Sequence, residues 1–133
     1  MSSSYRRARN RRRTTGHGPK GPRVVRVLSA NEIELDGGQI VRLLGVSPFR
    51  SRQQEAIDFL KELFCKEQVV LKFEEMKYDD QGRLLAYVFL ENKTFVNGHL
   101  LRQGLAKLDT SLHLSREQSL RRFALKNGRA HAD

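Results

Sequence analysis

Hydrophobic and polar residues in the body of this chain follow short patterns that predict a meander of strands. The runs at 23–29 and 31–35 are rich in β-branched residues and alternate in character, as half-buried strands do. The glycines at 37–38 suit a hairpin turn before a third apolar run at 40–46, which Pro48 would stop. Three consecutive antiparallel strands are therefore expected.

A helical pattern follows this meander. The apolar residues recur every three or four positions, as they do on one face of an amphipathic helix. They are Ala56, Ile57, Leu60, Leu63 and Phe64. Ser51 followed by Gln54 resembles a capping box, so the helix is expected to begin there.

The remaining elements complete the predicted fold. Strand patterns occupy 69–75 and 83–91, a short helix is expected at 96–103 before Gly104, and a last helix is expected after Ser115. Five strands divided by a helix predict a mainly-β α+β domain with about three helices. A five-stranded OB-type barrel is the commonest such fold, and it often binds nucleic acid.

The excess of basic residues lies at the start of the chain. The 133 residues include 25 Lys and Arg against 15 Asp and Glu, but residues 1–23 contain no acid at all. We predict a disordered, arginine-rich tail with a Gly/Pro linker over 1–22 and one domain over 23–133. The tail residues expected to contact a nucleic-acid backbone are Arg6, Arg7, Arg9, Arg11, Arg12, Arg13 and Lys20.

Other partners fit this tail less well. It has almost no apolar face, which favours nucleic acid over a membrane surface. A merely solubilising role and an organellar import signal are the alternatives. No apolar run approaches transmembrane length, and no hydrophobic stretch of a secretory signal opens the chain. We therefore expect an intracellular protein, with the cytoplasm favoured over an organelle.

The cysteine and histidine residues argue against a disulfide and a zinc site. The single cysteine, Cys65, excludes an internal disulfide, and its apolar neighbours predict a buried side chain. The four histidines are scattered without ligand spacing, which argues against a zinc site. No cofactor is expected from these residues.

Four stretches of the chain resemble the staphylococcal-nuclease-like (thermonuclease) family. They are VRLLGV at 41–46, EAIDFLKEL at 55–63, DDQGRLLAYVFL at 79–90 and VNGHLLRQGLA at 96–106. They occur in the family's order, and the resemblance extends over about residues 24–128. It implies an OB-type barrel, in agreement with the strand pattern. It also implies phosphodiester cleavage by a calcium ion held by carboxylates, a glutamate base and two arginines.

The resemblance carries over the family's arginines but not its carboxylates. The arginines correspond to Arg42 and Arg83, while the two metal-binding aspartates correspond to Asn31 and Ser47. The catalytic glutamate falls on or near Arg50. Without those acids a hard divalent ion loses its charged oxygen ligands, and no positioned base remains. We therefore predict no metal, with Ca²⁺ as the alternative if the chain is an active nuclease.

Two roles remain open for the retained arginines. Arg42 and Arg83 either bind phosphate, together with Arg50, or stabilise the fold by pairing with Asp79 or Asp80 or with carbonyls at the rim of the barrel. Aromatic side chains that stack on unpaired bases are a further expectation. The candidates for stacking are Phe49, Tyr78 and Phe95, while Phe73, Tyr87 and Phe89 are expected in the core.

Three hypotheses for function follow. The first is a catalytically inactive nuclease-like domain that binds nucleic acid, RNA favoured over DNA, within a larger ribonucleoprotein. The second is an active metal-dependent nuclease with an altered site. The third is a protein-interaction module in which the tail is incidental. No oligomeric state is predicted.

Overall fold

The computed structural model describes residues 21–65 and 67–126. Within these residues seven strands and three α-helices form a mainly-β α+β domain, which confirms the predicted fold class. The strands are β1 (Val24–Ser29), β2 (Glu32–Leu35), β3 (Ile40–Leu43), β4 (Val46–Pro48), β5 (Val69–Lys72), β6 (Leu84–Leu90) and β7 (Ala106–Leu108). The helices are α1 (Gln53–Phe64), α2 (Val96–Arg102) and α3 (Glu117–Lys126). The predicted tail and linker lie almost wholly outside the described residues.

Five of the strands form one sheet in the order β1-β2-β3-β6-β5. All neighbours are antiparallel except β3 and β6, which run parallel and are connected through β4, α1 and β5. The two outer strands also meet, since Arg23 forms a bridge with Gln68 and the N–H of Val69 donates to the carbonyl of Pro22 at 2.9 Å. This contact between the sheet's edges closes the predicted five-stranded barrel.

The strand predicted at 40–46 is divided in the structure. Gly45 has a φ of +77°, which breaks the extended conformation after Leu43. The chain then continues as β4, which pairs with β7 in a two-stranded sheet that the sequence pattern did not reveal. A side chain at position 45 would collide with Leu120 of α3, so packing as well as backbone conformation requires glycine there.

The helix after this sheet begins later than predicted. Residues Arg50–Arg52 form a 3₁₀ turn, α1 starts at Gln53, and no side chain caps it, so the predicted capping box is wrong. The predicted apolar face is confirmed, because its central residues Ala56, Leu60 and Phe64 are buried. Cys65 is exposed rather than buried, since it follows the last helical residue and leaves the apolar stripe.

A carboxylate binds Ser115, two residues before the start of α3. The N–H and the hydroxyl of Ser115 both donate to Oε2 of Glu74, at 2.7 and 2.8 Å, and the phenol of Tyr87 donates to the same oxygen at 2.5 Å. Ser115 therefore binds the segment after β5 instead of capping a helix. None of the helices in the described residues is long and apolar enough to cross a membrane.

A buried amide joins the two parts of the core. One hydrophobic cluster fills the barrel, and a second one lies between β6, α2 and α3. Asn97 on α2 is completely buried beside both. Its Oδ1 accepts the N–H of Val88 at 2.8 Å, and its Nδ2 donates to the carbonyls of Leu44 and Ala86 at 2.8 and 3.3 Å. Three backbone groups are thus satisfied by one side chain.

We predict that Asn97→Ala lowers the free energy of unfolding by about 3 kcal/mol, because it leaves buried backbone groups without partners. Urea denaturation followed by circular dichroism measures this change. The matched control is Asn92→Ala, which removes an exposed amide that accepts only from Thr94. Its effect should stay below about 1 kcal/mol. Equal effects of the two substitutions would contradict this role of Asn97.

Candidate nucleic-acid site

Arg42 lies on β3, half-buried, directly across the ladder from Glu32 on β2. Its side chain lines a groove of about 360 Å³ together with Asp79, Asp80 and Asp109. Among the described residues, no group forms a hydrogen bond or an ion pair with its guanidinium. Arg42 therefore keeps its donors available, although three carboxylates share its groove.

Arg83 is paired with two carboxylates. Its Nε donates to Oδ2 of Asp79 and its Nη1 donates to Oε2 of Glu32, each at 2.6 Å. Oδ1 of Asp79 also accepts the N–H groups of Gln81 and Arg83 at 2.9 Å, so this aspartate shapes the turn before β6. The geometry supports the structural role that was proposed for Arg83 rather than the phosphate-binding role.

The same contacts change the acidity of the pair. Burial opposes ionisation of Asp79, but hydrogen bonds from the backbone and the guanidinium of Arg83 and from Gln81 outweigh it and lower the pKa of the Asp79 carboxyl. The hydrogen bond from Arg83 to Asp79 raises the pKa of the guanidinium in turn. Both groups are therefore stabilised in their charged forms.

Asn31 uses its amide to hold two parts of the chain together. The buried side chain donates from Nδ2 to the carbonyl of Val46 at 3.2 Å, and its Oδ1 accepts the hydroxyl of Ser29 at 2.9 Å. It thereby fastens the turn after β1 to the first residue of β4. An aspartate at this position has no N–H to donate, so the carboxylate of the resemblance could not replace this contact.

The other positions that correspond to acids in the resemblance also lack metal ligands. Ser47 lies half-buried on β4 opposite Lys107 of β7, and Arg50 is exposed in the 3₁₀ turn. In the part of the chain that the structure describes, no three His, Cys, Asp or Glu side chains are grouped to hold a metal. These residues do not fit the calcium ion that the resemblance implies.

The groove beside Arg42 is negative overall. Its lining includes one arginine and three aspartates, and because Asp79 is paired with Arg83, Asp80 and Asp109 against Arg42 leave a formal excess of one negative charge. Asp109 is brought there because its N–H donates to the carbonyl of Gly45 at 2.9 Å, which joins the end of β7 to the bend after β3. No local sequence signal predicts this placement. The position of Glu32 beside Arg42, in contrast, follows from the register of the β2–β3 hairpin.

The other residues predicted to contact nucleic acid lie either outside the described residues or at positions whose burial can be compared with the prediction. Arg6, Arg7, Arg9, Arg11, Arg12, Arg13 and Lys20 lie outside the described residues. Phe49 and Phe95 are buried, so their prediction as stacking residues is wrong, whereas Tyr78 is exposed. Phe73 is exposed rather than in the core, while the predicted burial of Tyr87 is confirmed. Phe89 is half-buried, with its ring stacked on that of Phe95 at 4.8 Å.

Comparison with known proteins agrees with this architecture. Residues 40–131 match the family model described as staphylococcal nuclease homologue. This chain belongs to that family. A thermonuclease from Staphylococcus hyicus is 32% identical to it over 97 residues, which are 64% of this chain and 57% of the thermonuclease. The family resemblance predicted from the four motifs is thus confirmed, although the match spans little more than half of that relative.

The Asp79–Arg83 pair predicts a pH dependence of stability. The folded pKa of Asp79 lies below its unfolded value, so its contribution is present above the unfolded pKa and is lost as the pH falls through the folded pKa. Asp79→Asn keeps an oxygen for the turn but removes the charge. We expect this variant to lose less stability than the wild type between neutral and acidic pH, measured by urea denaturation across that range. Asp80→Asn, at the exposed neighbour, is the control and should follow the wild type.

Asn31→Asp tests whether one acid restores the family's metal site. We expect it to lower the free energy of unfolding by about 1–3 kcal/mol, because the Val46 carbonyl loses its donor. Excess Ca²⁺ should leave the Tm of the variant unchanged, measured by thermal denaturation with and without the ion. A calcium-dependent rise in Tm would contradict this expectation. Ser47→Ala, which removes no amide donor, serves as the control for stability.

Proposed function

We propose that this chain is a nucleic-acid-binding member of the staphylococcal nuclease homologue family that does not cleave phosphodiesters by the calcium-dependent route. The hydrogen bond from Asn31 to Val46 carries this proposal. It gives the position of a metal-binding aspartate a structural task that needs an amide. By the resemblance, Ser47 takes the place of a further ligand, and Arg50 lies at or near the position of the base.

The charge pattern supports nucleic acid as the partner. The tail carries seven basic residues before residue 21 and no acid, whereas the rest of the chain is nearly balanced. Phosphate contacts made by such a segment need no precise geometry, because they act through neutralised charge and released counterions. A basic extension on a compact body is typical of ribonucleoprotein subunits, which favours RNA over DNA by analogy.

The cleavage part of the proposal has a direct test. Purified wild-type protein is incubated with single-stranded RNA or DNA in the presence of Ca²⁺, Mg²⁺, Mn²⁺ or a chelator, and the products are resolved on a denaturing gel. We expect intact substrate in every case. Metal-dependent cleavage that disappears in Arg42→Ala and Arg83→Ala would establish an active nuclease with an altered site instead.

The binding part is tested through its salt dependence. We predict that replacing the six tail arginines by glutamine weakens binding of a fluorescent single-stranded oligonucleotide and flattens the plot of log affinity against log salt. Each lost phosphate contact on a single strand reduces the slope by about 0.7, so the full change approaches about 4. The positions changed are Arg6, Arg7, Arg9, Arg11, Arg12 and Arg13.

Two results would contradict this prediction. An unchanged slope would show that the tail does not supply the affinity. Weak binding by the wild type at physiological salt, together with a protein recovered from nuclease-treated extracts, would favour a protein-interaction module.

Matched RNA and DNA oligonucleotides in the same assay measure the preference between the two polymers.

A further inference from the structure

A second groove lies between β5, the turn that follows β6, and the residue that precedes α3. Val70 and Phe89, which are partners across the β5–β6 ladder, belong to its lining. Lys72, Lys93 and Arg116 also line it, together with the single carboxylate of Glu91. The lining therefore has a formal excess of two positive charges, which is the opposite sign to the groove beside Arg42.

The cations of this groove are only partly compensated by the domain, since Glu74 interacts electrostatically with Arg116 and Glu91 lines the groove. Among the described residues, no carboxylate forms an ion pair with Lys72, Lys93 or Arg116. Three cations held close together repel one another, and an anion bound between them offsets this repulsion. Opposite charges in a partly desolvated groove attract more strongly than in water. Their arrangement thus favours an anionic ligand.

Aromatic rings hold Arg116 in place. Its guanidinium lies over the ring of Tyr87 at 5.2 Å and over that of Phe89 at 5.5 Å. The preceding residue, Ser115, is fastened to Glu74 by two hydrogen bonds. A guanidinium held this way loses little conformational freedom on binding, and its planar fork matches two phosphate oxygens.

Lys93 occupies an unfavourable backbone conformation at the edge of the groove. Its φ is +74°, and among the described residues it is the one non-glycine with a positive φ. The turn is closed by hydrogen bonds from Lys93 to Leu90 and from Leu90 to Thr94, at 2.9 and 3.0 Å. Glycine would adopt this conformation without the cost of about 1 kcal/mol that a side chain adds. The lysine at this position contributes its charge to the edge of the groove.

The apolar part of the lining indicates what kind of anion fits. Val70 is 39% exposed although it is a β-branched residue on a strand, and Phe89 beside it is half-buried. An unpaired base could cover these side chains, whereas the bases of a duplex are already stacked and paired. Cations around an apolar surface are the arrangement that single-stranded nucleic acid requires.

We propose that this groove binds a single-stranded nucleic acid, with phosphates at Lys72, Lys93 and Arg116 and one base against Val70 and Phe89. The proposal rests on the proposed function and adds a binding surface on the domain itself. It places that surface away from the Arg42 groove, where Asp80 and Asp109 would repel a phosphate backbone.

The test uses the full chain and a short single-stranded RNA in the anisotropy assay. Lys72→Glu/Lys93→Glu should weaken binding markedly and reduce the salt slope by about 1.4, because two phosphate contacts are lost. Lys61→Glu/Lys126→Glu is the control, since it makes the same change in net charge at exposed sites on α1 and α3. Thermal denaturation checks that both variants are folded. Lys72→Gln/Lys93→Gln provides a milder variant if the glutamates unfold the domain.

Crosslinking provides a second measurement that net charge does not influence. RNA containing 4-thiouridine is irradiated with the wild-type protein, and the attached peptides are identified by mass spectrometry. We expect crosslinks on β5 or at the end of β6. Crosslinks confined to the tail, or equal loss of affinity in the groove and control variants, would overturn the groove proposal and leave tail binding intact.

Other results separate the two proposals further. Failure of the wild type to bind any oligonucleotide would contradict the proposed function and the groove together. A loss with the groove variant that is as large for duplex RNA as for the single strand would overturn the assignment of an unpaired base. Binding of a phosphorylated peptide, lost in the groove variant while RNA binding is kept, would assign the groove to a different ligand.

Discussion

The side chain of Asn97 fixes the relative positions of β6, α2 and the bend after β3. The amide belongs to α2, and it accepts the N–H of Val88 and donates to the carbonyl of Ala86, both on β6. It also donates to the carbonyl of Leu44 in the bend, 53 residues earlier in the chain. Because a buried donor or acceptor without a partner is costly, this arrangement leaves little freedom for the bend at Leu44. Arg42 precedes that bend and Arg83 precedes β6, so the geometry around both arginines depends on it.

Two polar side chains near the predicted site are committed to contacts within the fold. Asn31 donates to the carbonyl of Val46, a contact that a carboxylate cannot make. Arg83 is held between Glu32 and Asp79, and its charge is thereby compensated within the fold. A guanidinium that is already paired with carboxylates has fewer N–H groups and less uncompensated charge with which to bind a phosphate than a free one has. Retention of an arginine in a nuclease-like sequence therefore does not by itself identify a phosphate site.

Electrostatics distinguishes the two grooves more clearly than residue type does. Each has at least one arginine, but aspartates outnumber Arg42 in the first, whereas lysines accompany Arg116 in the second. The cations of the second groove come from β5, a turn and the residue before α3. Their excess charge exists only because the fold brings these segments together. A surface of this kind complements the tail, whose charge is local and evident in the sequence.

Local patterns in the sequence determined most of the fold. Alternation identified the strands of the barrel, helical spacing identified the buried face of α1, and four motifs identified the family. These features were accessible because periodicity and turn chemistry act over a few neighbouring residues. Local patterns did not predict the pairing of β4 with β7 or the burial of Phe49 and Phe95. Each of these features depends on segments that are distant in the chain.

The sequence by itself also determined that positions 31, 47 and 50 carry asparagine, serine and arginine and that the tail is basic. Only the tertiary structure decided what the remaining charges do. It paired Arg83 with two acids, one of which, Asp79, also shares the groove of Arg42 with two further aspartates, and it gathered lysines beside an apolar strand surface. The physical reason is that charges interact through space, so their partners are set by the distances that folding creates rather than by their order along the chain.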